Sequence, residues 1–166
     1  MTLLSKNILE KKIVFIDMDG VIVDLGKEIE LKTTGLKDKK LLKSPDLIKG
    51  IFKNPPVYQG AKNAVHELNQ SGKYELFIAT SAPWENHESA THKRVWLEKH
   101  FKGVFEKKMI ITHRKDLLIG DYLIDDRLSN GAEYFRGELL SFGWNYEKKK
   151  WNTFPDWKSV LEKLLN

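Results

Sequence analysis

The stretch that decides the fold runs from Ile13 to Val23 and reads IVFIDMDGVIV. Ile13 to Ile16 are all apolar, and Asp17, Met18, Asp19 and Gly20 follow at once. A short run rich in Ile and Val, with a Gly just after it, reads as a fully buried strand closing on a tight turn. The two carboxylates then stand at the C-terminal end of that strand. In open α/β sheets this is the edge where ligands bind. Residues two apart on an extended chain point the same way, so Asp17 and Asp19 can share one site. Like charges that close call for a cation or a shared proton between them.

The chain on either side fits this strand. Lys11 to Ile16 is the first strand, and Gly26 to Leu42 is polar and helical, with a break at Gly35. Ser44-Pro45-Asp46 is a helix start, the helix reaches about Phe52, and Asn54-Pro55-Pro56 stops it. Gly60 to Gln70 is an amphipathic helix with Ala61, Ala64, Val65 and Leu68 on one face. Strands follow at Tyr74 to Ala79, Lys108 to Thr112, Tyr122 to Ile124 and Leu139 to Phe142. Helices are expected over Asn86 to Phe101, anchored by Val95, Trp96 and Leu97, and over Asp156 to Leu165. Strands alternating with helices imply an α/β fold, a three-layer Rossmann-like parallel sheet with helices on both faces. Residues 1–24 and 58–166 form its core. Residues 25–57 are a small helical cap insertion that leaves the sheet just after the carboxylates, placed to act as a lid.

Three strands end in polar groups that belong together chemically. The first gives Asp17 and Asp19, the second Thr80 and Ser81, and the fourth Asp125 and Asp126. In a parallel sheet these ends lie on one side of the molecule. Clustered carboxylates make an oxygen-rich site for a hard cation, and Mg²⁺ favours one or two carboxylates, water and a substrate phosphate. Thr80 can donate its hydroxyl to a phosphoryl oxygen. Lys115, in the segment HRKD, can supply the positive charge that stabilises a transferring phosphoryl group, and Lys93 is its rival.

Composition narrows the partners. The chain has 166 residues, enough for one domain with a proper core. It has no cysteine, so disulfide frameworks, thiolate zinc sites and cysteine nucleophiles are excluded. No apolar run approaches the ~20 residues needed to cross a bilayer. The N-terminal MTLLSKNILEKK lacks the apolar centre of a signal peptide, so a cytoplasmic protein is expected. Lys and Arg outnumber Asp and Glu by 28 to 23, a modest positive field suited to anionic small molecules. The basic residues are scattered, so nucleic acid is not the expected partner. His87-Glu88 and His92 are spaced one residue too widely for a zinc-protease helix. His66, His100 and His113 read as surface or satisfied polar residues. Trp144, Tyr146, Trp151, Phe154 and Trp157 read as aromatic packing of the last strand and helix.

FIDMDGV, IATSAPW, THRKD and GDYLIDDR, in that order, resemble the four motifs of the haloacid dehalogenase superfamily of phosphatases. Within it, DMDGV followed by a small cap, HKRVWLEKHF and the spacing of HRKDLLIGDYLIDDR resemble the 5'(3')-deoxyribonucleotidases of the cytosolic type C nucleotidase group. The resemblance implies a Mg²⁺-dependent phosphomonoesterase acting on nucleoside monophosphates through an aspartyl-phosphate. It implies Asp17 as nucleophile and Asp19 as general acid and then base. Mg²⁺ would be held by the Asp17 side chain, the Asp19 carbonyl and Asp125, with Asp126 in support. Thr80 and Lys115 would bind the phosphate, helped by the Gly20 amide, with Ser81 secondary. The resembled nucleotidases usually carry an aromatic residue after the position of Asp24, where this chain has Leu25. Phe52 and Trp84 are candidates to stack on a base in its place, or else core aromatics. Rival expectations are a phosphatase for another small ester or a nucleic-acid end, a signalling receiver, and a binding protein on a phosphatase fold.

Overall fold

The computed structural model describes residues 10–166. The N-terminal leader reading and the assignment of residues 1–9 to the core lie outside the described residues. Strand β1, Lys12–Ile16, is central. β2, Tyr74–Thr80, runs parallel to it with Ile16 opposite Ile78. β3, Met109–Ile111, lies outside β2. β4, Tyr122–Asp125, runs parallel to β1 on its other side, with Ile16 opposite Ile124. β5, Glu138–Ser141, completes the order β3-β2-β1-β4-β5.

After β1 the amides of Val21, Ile22 and Val23 all converge on the Met18 carbonyl, forming the tight turn expected there. Residues 25–57 then carry two short helices, α1 (Leu25–Thr33) and α2 (Lys39–Lys43). Asp24 caps α1 by accepting from Lys27 N, and Asp38 caps α2 by accepting from Lys40 N and Leu41 N. The helix expected from Ser44 to about Phe52 is only a single 3-10 turn, Pro45–Leu47. The Ser44 side chain makes no cap hydrogen bond, and Gly50, at φ +73°, takes a left-handed turn that a helix cannot contain. Ile51 and Phe52 fold inward instead and are buried. The segment begins and ends side by side. Val23 bridges Val57 antiparallel, Asp24 N donates to Pro56 O at 2.9 Å, and Tyr58 N donates to Ile22 O at 2.8 Å.

Alternate residues of a strand face opposite ways. Val14 and Ile16 join Leu76, Ile78, Ile124 and Leu140 in one core. It is covered by α3 (Ala61–Gln70), α4 (Ser89–His100) and α5 (Trp157–Leu165). Ala61, Ala64, Val65 and Leu68 are all buried, as their spacing implies. α4 begins at Ser89 rather than Asn86, and buries Ser89, Lys93, Trp96 and Leu97, a helical repeat of one face. Val95 was expected on that face and is 54% exposed; a helix cannot turn three successive residues inward, and Lys93 takes an inward position. The other face of the sheet, with Phe15, Ala79 and Leu123, is covered by Ala132 and Phe135, in and beside the one-turn helix Ala132–Tyr134. The layers are therefore unequal in thickness.

Of the C-terminal aromatics, Trp157 is buried, and its Nε1 donates to Val21 O at 2.9 Å, tying α5 to the turn after β1. Trp144 and Trp151 instead pair across a small hairpin of β6 (Trp144–Asn145) and β7 (Lys150–Trp151), where Tyr146 and Trp151 stay exposed. Packing onto the sheet therefore holds for Trp157 but not for this hairpin.

Candidate active site

The sheet order reverses around β1, which has β2 on one side and β4 on the other. A crevice opens beyond the strand ends at such a reversal. Here it is a cleft of about 440 Å³. One wall carries Asp17, Asp19, Asp125, Asp126, Lys115 and Ser81; the segment 25–57 supplies Leu25, Ile29, Pro45, Asp46 and Phe52 to the other.

Strand register explains the acid cluster. With Ile16 opposite Ile124, the next residues, Asp17 and Asp125, come out side by side. Oxygens of Asp17, Asp125 and Asp126 all lie within 4.8 Å of one another, and among the described residues no other group of metal-binding side chains is drawn together this way. Lys115 reaches into this cluster from a 3-10 turn, Lys115–Leu117. Its Nζ lies 3.1 Å from Asp17 Oδ1 and donates to Asp125 Oδ2. Asp125 Oδ1 accepts from Arg127 N at 3.0 Å. Burial works against the Lys115 charge, yet Asp17 and then Asp125 hold its pKa above the usual range. Burial first, and then Asp17, push the carboxyl of Asp125 up, against the pull of Lys115. Burial, Asp17 and Asp125 raise Asp126 well above the ordinary carboxylate value. Three acids facing one amine leave the cluster short of positive charge, and an all-oxygen donor set of this kind fits a hard divalent cation.

Gly20 was expected to lend its amide to a phosphate. That amide instead donates to Val23 O at 2.8 Å, closing the turn. What the position requires is the absence of a side chain. At φ +76°, a Cβ there would fall 2.3 Å from Asp126 Oδ2. Gly20 thus lets Asp126 close in against the DMDG turn.

The second half of the site is built around Lys93, which is 1% exposed. Its Nζ donates to Asp19 Oδ2 at 2.6 Å, to Ser81 O at 2.6 Å and to Thr80 Oγ1 at 3.0 Å. All three ammonium protons are thereby used. The Asp19 side chain keeps 25% of its surface open, but its Oδ1 is sealed off and accepts no hydrogen bond. Burial raises the Asp19 pKa, Lys93 opposes the rise, and Asp17 adds to it. Thr80 was expected to offer its hydroxyl to a phosphate. It is fully buried and occupied with Lys93, whereas Ser81, expected to be secondary, lines the cleft.

All nine residues singled out from the sequence therefore gather at one edge of the sheet, where Lys115 lines the cleft against Asp17 and Asp125, and Lys93 lies behind it against Asp19. His113, read as a surface residue, is exposed but lines the cleft, as do Arg127, Ser129 and Asn130. Arg127 directly follows the acid pair, which is a usable signal; Asn130 sits in a loop at φ +55° with no motif around it. Trp84 is 86% exposed and is not among the cleft's lining residues, whereas Phe52 is 2% exposed and lies over Lys93. Among the described residues no helix is long and apolar enough to cross a membrane.

The sequence profile of the family described as "5' nucleotidase, deoxy (Pyrimidine), cytosolic type C protein" matches residues 38–164. A Vibrio phage KVP40 protein, provisionally named a 5'(3')-deoxyribonucleotidase, is 38% identical over 158 residues, which cover 95% of this chain and 86% of that protein. The 5'(3')-deoxyribonucleotidase of Bacillus subtilis is 26% identical over 177 residues, covering 93% of this chain and 99% of its own length. A solved hydrolase structure from Streptococcus pneumoniae is loosely similar, covering 80% of this chain and 92% of its own with a TM-score of 0.45 at 12% identity.

Proposed function

Because the chain belongs to the cytosolic type C 5' nucleotidase family, we propose that it is a Mg²⁺-dependent phosphomonoesterase that hydrolyses nucleoside monophosphates, deoxyribonucleotides first among them. The observation that carries this reading is that Asp17 and Asp19 open on one cleft while each is held by its own buried lysine.

In the first step an Asp17 carboxylate oxygen attacks phosphorus and the bond from phosphorus to the ester oxygen breaks. Asp19 gives its proton to the departing alkoxide. The raised pKa of Asp19 and the quarter of its side chain that stays open beside the cleft support this role. In the second step Asp19, now a carboxylate, takes a proton from water as the water oxygen attacks phosphorus. The bond from Asp17 to phosphorus breaks, inorganic phosphate leaves, and both acids return to their starting states. The Asp17 side chain, the Asp19 carbonyl and Asp125, with Asp126 in support, would hold Mg²⁺, which when bound would supply positive charge to the phosphoryl group. Lys115 and Lys93 add cationic charge beside the reacting group, with Ser81 as a hydroxyl donor and Thr80 holding Lys93. Residues 25–57 act as the cap over the core formed by the rest of the chain. Their apolar side chains Leu25 and Ile29 keep water from the reacting atoms.

The test is phosphate release from 5'- and 3'-mononucleotides, sugar phosphates and 3'-phosphorylated oligonucleotides. Mononucleotides are expected to be turned over fastest, and EDTA should stop the reaction. Asp17→Asn should lower turnover by about 10⁴-fold or more. Undiminished activity in Asp17→Asn overturns the mechanism, and preference for a non-nucleotide ester overturns the substrate.

A further inference from the structure

We propose that Phe52 is a positioning residue for the general acid: its ring, laid over the Lys93 ammonium, fixes the lysine that in turn fixes Asp19. This rests on the role of Asp19 given above.

Among the described residues, Lys93 is the only group that donates a hydrogen bond to the Asp19 side chain. The direction of the acid is therefore only as definite as the location of one ammonium. That ammonium is held by its three hydrogen bonds and by Phe52, whose ring centroid lies 4.8 Å from Nζ. The distance is within the range in which the negative face of an aromatic ring attracts a cation, and the attraction is strongest where water is excluded. Water is excluded here, since Lys93 and Phe52 are 1% and 2% exposed. With so little of its surface open, Phe52 is better suited to holding the lysine than to stacking on a nucleobase.

The segment that carries Phe52 is referenced to the helix that carries Lys93. Asn86, just ahead of α4, donates its Nδ2 to Asp46 O at 2.7 Å. Trp96, one turn beyond Lys93, donates its Nε1 to Pro55 O at 2.8 Å. Phe52 lies between these two fastenings, and the left-handed Gly50 ahead of it turns the chain inward. An aliphatic side chain could fill the same volume, but it has no negative face to offer the ammonium.

The experiment is a double-mutant cycle on phosphate release from a 5'-deoxynucleotide, with Phe52→Leu, Lys93→Met and the pair. Phe52→Leu should lower kcat about tenfold and leave KM within about twofold, whereas Phe52→Tyr, which keeps the ring face, should stay within about twofold of wild type in both. In the Lys93→Met background, Phe52→Leu should have no further effect. Additive losses in the cycle, an unchanged kcat in Phe52→Leu, or a rise in KM alone overturns the proposal. A second readout needs no turnover. The ε-methylene protons of Lys93 should show an upfield ring-current shift in the NMR spectrum that Phe52→Tyr keeps and Phe52→Leu loses. An ε-methylene shift unchanged in Phe52→Leu overturns the contact. Failure of the wild-type protein to hydrolyse any nucleotide instead overturns the functional reading, and the NMR comparison then decides the contact alone.

Discussion

Lys93 and Lys115 are both buried, both pair with acids that line the same cleft, and they are supported in opposite ways. Lys115 touches two carboxylates, Asp17 and Asp125, in a cluster that holds a third. Lys93 touches one carboxylate, two neutral oxygens and the face of a ring. The first environment is concerned with charge and the second with direction. A second cation can take over part of the work of Lys115, because positive charge is what that cluster lacks. Nothing diffusible can stand in for Lys93, because its neutral partners contribute geometry and little charge.

The largest effect that would test this contrast is expected from Lys115→Met. Catalytic efficiency should fall by about 10³-fold, since a cation beside the reacting phosphoryl group is removed. The metal-free protein should lose roughly 3 kcal/mol of stability, because two buried carboxylates lose their partner. Urea unfolding with and without Mg²⁺ is the measurement, and Mg²⁺ should restore more stability to this variant than it adds to wild type. An identical Mg²⁺ response in the two proteins would break the contrast.

A smaller effect is expected from Lys93→Met. Its kcat should fall by about 10²-fold, while the Mg²⁺ concentration for half-maximal activity stays within about twofold of wild type. A large shift in Mg²⁺ dependence would place Lys93 in the charge balance after all.

The smallest effect is on stability against pH. Asp125 and Asp126 have folded pKa values raised above the ordinary 3.8, chiefly by burial. Between the unfolded value and the raised folded values the native state binds more protons than the unfolded chain, so stability falls as pH rises. The metal-free melting temperature should drop by a few degrees, roughly 2–6 °C, between mildly acidic and neutral pH. Excess Mg²⁺ should flatten that slope, because a bound cation favours the deprotonated acids. A metal-free melting temperature that climbs over this interval would show that the acids are not held out of water as described.

Much of the site is legible in the chain because it sits at strand ends, where motif and geometry coincide. Asp17, Ser81 and Asp125 needed only a parallel sheet to come together. Lys93 is harder to read, because the inward face of α4 is half polar, Ser89 and Lys93 beside Trp96 and Leu97, and the apolar Val95 faces outward instead. The link from Asn86 to Asp46 leaves no mark in the sequence, since its acceptor is a main-chain carbonyl that any residue would provide. Ser44-Pro45-Asp46 carries good local signals for a helix. They lose to the burial of Ile51 and Phe52, which a longer helix would not permit. The Gly20 amide shows a similar limit. The composition of the turn is plain from the sequence, but which carbonyl each amide meets is settled by the folded turn itself.

The paired stem at Val23 and Val57 has an evolutionary consequence. A segment whose two ends meet in one bridge can be lengthened, trimmed or exchanged as a cassette, with no strand of the sheet obliged to shift. Substrate preference could drift through such exchanges while the acids and lysines stay where they are. Any incoming cassette would still have to bring back one aromatic ring above Lys93, a single condition for passing between otherwise unrelated inserts.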